Sequence, residues 1–338
     1  MNNTACINFK DTHLLDHIAP LAYILETELF LEDEKNFNLT KEFYPEVKSI
    51  YNFPIDISVL SKKYDNFIEC KFWINTQIYK TFFNEKLQFI FSPHGNSDKG
   101  LISKNLLKAY QTQDAVFIYG NHMIDLLKKL NVFKNLKKFA VIGNYRLSYY
   151  LFFKKFYDQK VENEVFKNLD PKKKTIIYAP TWKDLENSTT FFQDYINIVD
   201  SLKKNFNLII KLHPLLEERN PVEFYKIFNT KNIRNIVQLI DYPLVYPLLN
   251  KCDIYLGDFS SVGYDFLYFN RPMFFLKKDK NSFLQNCGHV IENFKNLSSF
   301  INEKCLEDFS KIRTSTFRYT FGDLLSLDEI KNRILKIC

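Results

Sequence analysis

The stretch CDIYLGDFSSVGYDFLYFNRPMFFL, residues Cys252–Leu276, reads as strand, turn, helix and strand. An apolar run ends at Asp258. Ser260 and Ser261 then open a helix that carries Val262, Phe266 and Phe269 on one side, and Arg271-Pro272 closes it before the next apolar run. Proline has no N–H to continue a helix, so the break is sharp. Two short apolar runs joined by a helix make a βαβ unit, because parallel neighbours need a crossover long enough to bring the chain back.

The same alternation extends outward in both directions. Strand candidates on the N-terminal side are Cys6–Phe9, Glu28–Glu32, Asn66–Cys70, Leu87–Ser92, Ala115–Gly120 and Phe139–Gly143. On the C-terminal side they are Thr175–Thr181, Asn207–His213, Ile236–Ile240, Asp253–Asp258 and Pro272–Leu276. Between the sets, RLSYYLFFKKFYDQKVENEVFKNLDPKKK is helical in pattern and ends in Pro171 and a lysine run. The reading is an α/β chain of two Rossmann-like domains, residues 1–150 and 151–338, parting within 150–172. A last helix over Ser326–Cys338 has Leu327, Ile330, Ile334 and Ile337 at helical spacing and is free to pack back on the first domain.

Composition agrees with two packed domains. The 338 residues are 46% hydrophobic and 25% charged, with 34 Phe and 20 Tyr against 8 Gly, so aromatic rings fill much of the interior. No run of eighteen apolar residues occurs and the N-terminus lacks a signal-peptide pattern, so a cytoplasmic location is expected. Six separated cysteines without a CxxC pair suggest reduced thiols rather than zinc or disulfides. The formal net charge of +7 comes in clusters such as Lys154-Lys155 and Lys172–Lys174. These suit an anionic partner but equally a solvated surface, and no nucleic-acid-binding module is recognisable.

Several signatures are absent: G-x-G-x-x-G, G-x-S-x-G, H-E-x-x-H and a complete P-loop, since Leu101-Ile102 stand where Lys and Ser/Thr would follow Gly100. No cofactor motif is present, and nothing in the residues bears on Mg2+. His13 and His17 stand four apart, the spacing of one metal-binding helix face, but no third ligand is visible nearby and a structural role is the alternative.

Polar residues at carboxyl ends of parallel strands are where ligands of such sheets bind. Four such ends stand out. Asp258, Ser260 and Ser261, with Val262 and the helix amides, would form an anion site for nucleotide phosphates, and Asp265 one turn on would reach a ribose hydroxyl. The bland alternative is that Ser260 only caps the helix. Strand Thr175–Thr181 delivers Thr181, Trp182 and Lys183, and strand Asn207–His213 delivers Lys211 and His213 to the same edge. In the first half, Leu87–Ser92 runs into Pro93-His94-Gly95, with Lys99 five residues after His94, an arrangement suited to a general base or to a structural histidine.

These pieces resemble the CDP-glycerol glycerophosphotransferases, which include the teichoic-acid primases and polymerases. The matching segments are His94-Gly95 with Lys99, Gly143-Asn144-Tyr145-Arg146, Tyr178-Ala179-Pro180-Thr181-Trp182, Lys211-Leu212-His213-Pro214, Asp258-Phe259-Ser260-Ser261-Val262 and Asn270-Arg271-Pro272. Tyr145 departs from the usual proline, and Asn96-Ser97-Asp98 replaces the commoner Thr-Pro-Leu.

The resemblance implies a GT-B fold, two Rossmann-like domains facing a central cleft, with a CDP-activated polyol held mainly by the second. An acceptor hydroxyl of a cell-surface glycan or lipid-linked glycan would attack the β-phosphorus and release CMP. His94 would take the proton, and His213, Ser260 and Ser261 would offset phosphate charge. Thr181, Trp182, Lys183, Lys211, Asp258, Val262 and Asp265 would complete the donor site, with Gly95, Lys99 and Arg146 toward acceptor or phosphate. Peripheral docking on the inner membrane face is expected through Arg146–Tyr157, RLSYYLFFKKFY, unless its aromatics are interior.

Two rivals remain. A CMP-sugar-dependent GT-B glycosyltransferase of capsule synthesis would use a carboxylate base, for which Glu32-Asp33-Glu34 is the candidate. A non-catalytic binding scaffold would not require a histidine in each domain.

Overall fold

The computed structural model describes residues 3–96, 107–183, 189–228, 235–276, 282–292, 294 and 296–338. The chain divides into two compact units. One comprises Met1–Asn96, Gly100–Phe152 and Arg318–Cys338; the other is essentially Phe153–Phe317.

The first unit is built on seven strands: β1 (Thr4–Asn8), β2 (Glu28–Leu31), β3 (Ser49–Tyr51), β4 (Asn66–Glu69), β5 (Gln88–Phe91), β6 (Ala115–Ile118) and β7 (Phe139–Val141). Their order is β3-β2-β1-β4-β5-β6-β7, and every pairing is parallel. The second unit has β8 (Thr175–Ala179), β9 (Asn207–Lys211), β10 (Ile236–Leu239), β11 (Ile254–Gly257), β12 (Met273–Phe275) and β13 (His289–Val290). They are ordered β10-β9-β8-β11-β12-β13, again all parallel.

Parallel strands covered by helices on both faces read as continuous apolar runs rather than alternating ones. Every residue of β1, β8 and β11 is buried accordingly. Aromatic stacking fills the second core: Phe224 lies 5.4 Å from Phe191 and 4.8 Å from Phe228, ring centre to ring centre.

The eleven strands expected from sequence are all present; ten are trimmed at one or both ends, and β1 begins two residues earlier than expected, at Thr4. β3 and β13 went unread because both are short edge strands, three and two residues long, without a buried apolar run. The helical stretch after β7 is two helices, Tyr145–Phe152 and Lys154–Glu164, broken at Phe153 where the units part. The C-terminal helix is Leu327–Leu335, started by a capping box between Ser326 and Glu329. It belongs with the first unit rather than with 151–317. There Ser148 Oγ donates to the Leu325 carbonyl at 2.7 Å and the Arg333 guanidinium to the Val141 carbonyl at 2.9 Å.

In each sheet the chain leaves the first strand in one direction and later resumes on its other side. The switch points fall between β1 and β4 and between β8 and β11, where loops diverge and leave a crevice beyond the carboxyl ends.

Candidate active site

In the second unit Asp258, the residue after β11, organises the crevice. It is 1% exposed. One carboxylate oxygen accepts the Thr181 N–H at 2.9 Å; the other accepts the Thr190 N–H at 3.0 Å and its hydroxyl at 3.1 Å. Tyr178 extends the network through its hydroxyl, 2.9 Å from that of Thr190. A carboxylate accepting several N–H bonds pins the loop after β8 to the end of β11. Asp258 therefore acts on the loop rather than as a direct donor ligand.

His213 precedes a helix, Pro214–Arg219, and its Nδ1 accepts the Leu215 N–H at 3.2 Å. A backbone N–H can only donate, so Nδ1 is unprotonated and the neutral ring carries its hydrogen on Nε2. His213 is thereby fixed as a hydrogen-bond donor. The Trp182 ring lies 6.5 Å from that of His213, with the Arg219 guanidinium 4.5 Å above the indole. Lys211 ends β9 half-buried, and Lys183 is drawn to Glu223 at 3.0 Å.

Ser260 and Ser261 follow Asp258, and Val262 begins the helix Val262–Phe266; all three are half-buried. No side-chain cap is made by Ser261, so simple capping does not account for this pair. Two expectations change. The helix is one turn long, and the Gly263 and Tyr264 amides already bond to the Ser260 and Ser261 carbonyls, which leaves the hydroxyls rather than a helix dipole as the donors. Asp265 does not face a ribose: it is buried and accepts the Tyr246 hydroxyl at 2.6 Å. Ser260→Ala with Ser261→Ala is expected to weaken CMP binding roughly tenfold or more without unfolding the protein, since two hydrogen bonds of about 1 kcal/mol each are lost. Unchanged affinity in a calorimetric titration would place the nucleotide elsewhere.

In the first unit His94 follows β5 and turns its ring toward the switch point. Its Nδ1 lies 3.0 Å from the Cys70 carbonyl at the end of β4. A carbonyl can only accept, so Nδ1 holds the hydrogen and Nε2 keeps its lone pair. The protein packed around the ring lowers its pKa below the ordinary histidine value, only partly offset by that hydrogen bond, while one face stays open to solvent. The result is a neutral imidazole with an oriented lone pair on Nε2. His13 and His17 join it, with rings 5.9 and 6.2 Å from that of His94 and edge-on to it. They do not converge on a common point, and among the described residues no such group is suited to hold a metal. Burial, followed by Arg146, holds His17 well below its usual pKa.

Gly95 has φ +104°, a conformation that glycine adopts without strain. Lys99 lies outside the described residues. Arg146 is not a phosphate ligand: its side chain is 3% exposed, and its guanidinium binds the Asp16 carboxylate, with Nε 2.9 Å from Oδ2. The docking segment is corrected with it, because its Leu147, Tyr149, Tyr150 and Tyr157 are buried. Phe152 and Phe156 alone of its large apolar residues are strongly exposed.

Three residues escaped the sequence reading. Thr190 lies far from Asp258 along the chain, and only folding joins them. Tyr119 follows the β6 run, a strand end whose polar atom offered a signal. Glu69, the last residue of β4, is 5% exposed, and burial pushes its pKa up to about 8, so it is protonated at neutral pH.

A teichoic acid glycerol-phosphate primase from Bacillus subtilis (strain 168) is 24% identical over 230 residues, 64% of this chain and 55% of that protein. A teichoic acid poly(glycerol phosphate) polymerase from Staphylococcus epidermidis is 29% identical over 118 residues, covering 33% of this chain and 15% of that one. The chain thus spans about half the length of the primase, and a smaller share of the polymerase. The solved wall teichoic acid polymerase TagF superposes with a TM-score of 0.65 at 14% identity, over 99% of this chain and 88% of that one. A UDP-GlcNAc 2-epimerase from Neisseria meningitidis gives 0.62 at 14%, over 98% and 100%. These likenesses establish the GT-B fold and leave chemistry to the residues. Residues 92–307, which include His94, Asp258 and His213, match the model of the CDP-glycerol:poly(glycerophosphate) glycerophosphotransferases, and the chain belongs to that family.

Proposed function

We propose that this protein transfers a polyol phosphate of the glycerol-phosphate type from a CDP-activated donor to a hydroxyl of a cell-surface or lipid-linked glycan, releasing CMP. The observation that carries this reading is the opposite tautomer of its two histidines. His94 presents a bare Nε2 because its Nδ1–H donates to the Cys70 carbonyl; His213 presents Nε2–H because its Nδ1 accepts the Leu215 N–H. Phosphoryl transfer to an alcohol requires both, a base for the hydroxyl proton and a donor for phosphate oxygens.

In this mechanism the acceptor oxygen bonds to the β-phosphorus as its proton passes to His94 Nε2. The bond from β-phosphorus to the bridging oxygen breaks, and its electron pair leaves with CMP. His213 Nε2–H, Ser260 and Ser261 donate to phosphate oxygens, while Asp258 keeps the Thr181–Trp182 loop in place.

The CMP-sugar glycosyltransferase alternative needs a carboxylate base; of the candidates Glu32-Asp33-Glu34, Glu34 is exposed in the first turn of the helix Glu34–Phe43 and the other two are engaged. Asp33 accepts the Asn36 N–H as a helix cap, and Glu32 the Ile55 N–H at 3.3 Å. Glu69 is protonated at neutral pH. Incubation with a panel of CDP-activated polyols and CMP-sugars separates the readings: phosphorus retained in the product together with CMP supports phosphotransfer, and a glycoside overturns it.

Docking on an anionic bilayer belongs to the same reading, since a lipid-linked acceptor would lie there. Among the described residues no helix is long and apolar enough to cross a membrane. The helix Thr76–Phe82 buries none of its residues. Ile78 and Phe82 stand four apart on it with 53% and 75% of their surface exposed, and Ile74, 73% exposed, precedes it; Lys71 and Lys86 flank the segment. Flotation with anionic liposomes is expected for the wild type and lost in Ile78→Glu with Phe82→Glu; a wild type that stays in the pellet removes the membrane from the proposal.

A further inference from the structure

Tyr119, the residue after β6, is 3% exposed. Its hydroxyl donates to the Pro93 carbonyl at 2.9 Å and accepts the Gly95 N–H at 3.2 Å. Those peptide groups flank the His94 Cα, so one oxygen atom ties down both backbone dihedrals of His94. The hydroxyl is itself immobilised. Its ring stacks on Tyr145 at 5.9 Å and 11° and meets the edge of Phe321 at 5.8 Å. His17 Nδ1 stands 3.4 Å from the same hydroxyl, and the His17 carbonyl accepts from Tyr145 at 3.2 Å.

We propose that Tyr119 is a positioning residue for His94: by clamping the peptide groups on both sides of that histidine, its hydroxyl sets where the imidazole's free nitrogen points. The ring's second anchor is the Cys70 carbonyl. With the backbone and Nδ1 both held, Nε2 has a single position, and a base must stand within hydrogen-bond reach of the proton it takes. The glycine at 95 lets the turn close on the hydroxyl at positive φ. Charged and titratable groups around the ring are Asp11 with its partner Lys71, Arg146 with Asp16, and His13 and His17. The inference rests on the reading of His94 as the base.

Tyr119→Phe removes one oxygen and keeps the ring packing. CMP release from CDP-glycerol is expected to show kcat lowered about tenfold to a hundredfold, the cost of a misplaced base. KM for the donor should stay within about twofold, since ground-state binding is untouched. A loosened turn admits water to the ring, so the acid limb of kcat/KM should move to higher pH. The 15N shifts of the His94 imidazole should change from one tautomer to a mixture, a readout that needs no acceptor. Wild-type kcat, pH limb and tautomer in Tyr119→Phe, with His94→Ala inactive, would overturn the clamp and leave the base intact. A fully active His94→Ala would remove the base reading, and the clamp with it. Should Tyr119→Phe fail to fold, hydrogen exchange at the Gly95 amide of the wild type decides: protection supports the clamp, and exchange at the rate of an open peptide overturns it.

Discussion

His94→Ala and His213→Ala are each expected to lower CMP release by at least about a hundredfold while the protein stays folded, because positioned proton transfer contributes about 10² to 10⁴. The tautomers make the expectation sharper than a paired loss. A glutamine amide can still donate a hydrogen bond but cannot take a proton at neutral pH. His213→Gln should therefore recover part of the activity, and His94→Gln none. The pH profile carries a second sign. The His94 pKa is lowered, so its active neutral form persists below the usual histidine range, and the acid limb of kcat/KM should fall below pH of about 6.5. Near-normal release by either alanine variant, or equal rescue by glutamine at both positions, would show that the roles are misassigned.

Arg146→Ala is expected to destabilise the first unit by about 3 to 5 kcal/mol, the usual penalty for leaving a buried charge without its partner. Asp16 is 8% exposed and also accepts the Tyr44 hydroxyl at 3.2 Å, which does not supply a positive charge. Removing both charges, as in Arg146→Met with Asp16→Asn, should recover at least half of the loss. Urea unfolding at pH 7 measures both. A loss under about 1 kcal/mol is what an exposed pair gives, and it would return Arg146 to the list of phosphate ligands.

The sequence by itself determined the architecture. Runs such as TIIYAPT and DIYLGD can only be strands buried on both faces, and the helices between them force parallel pairing. It also named the strand ends that carry the chemistry, because a polar residue directly after such a run must stand at the carboxyl edge. The family resemblance followed from the order of the motifs along the chain, from His94-Gly95 to Asn270-Arg271-Pro272. What each polar group does there is a matter of partners distant along the chain, and that only the tertiary structure decided. Arg146 and Asp265 read as ligands until burial against Asp16 and Tyr246 claimed them. Asp258 read as a ligand until Thr181 and Thr190 took its oxygens. The resemblance alone made His94 a base and His213 a phosphate partner; which nitrogen each presents was set by the Cys70 carbonyl for one and the Leu215 amide for the other. Residue type states what a side chain can donate or accept; the atom that faces it in the fold determines which of these it does.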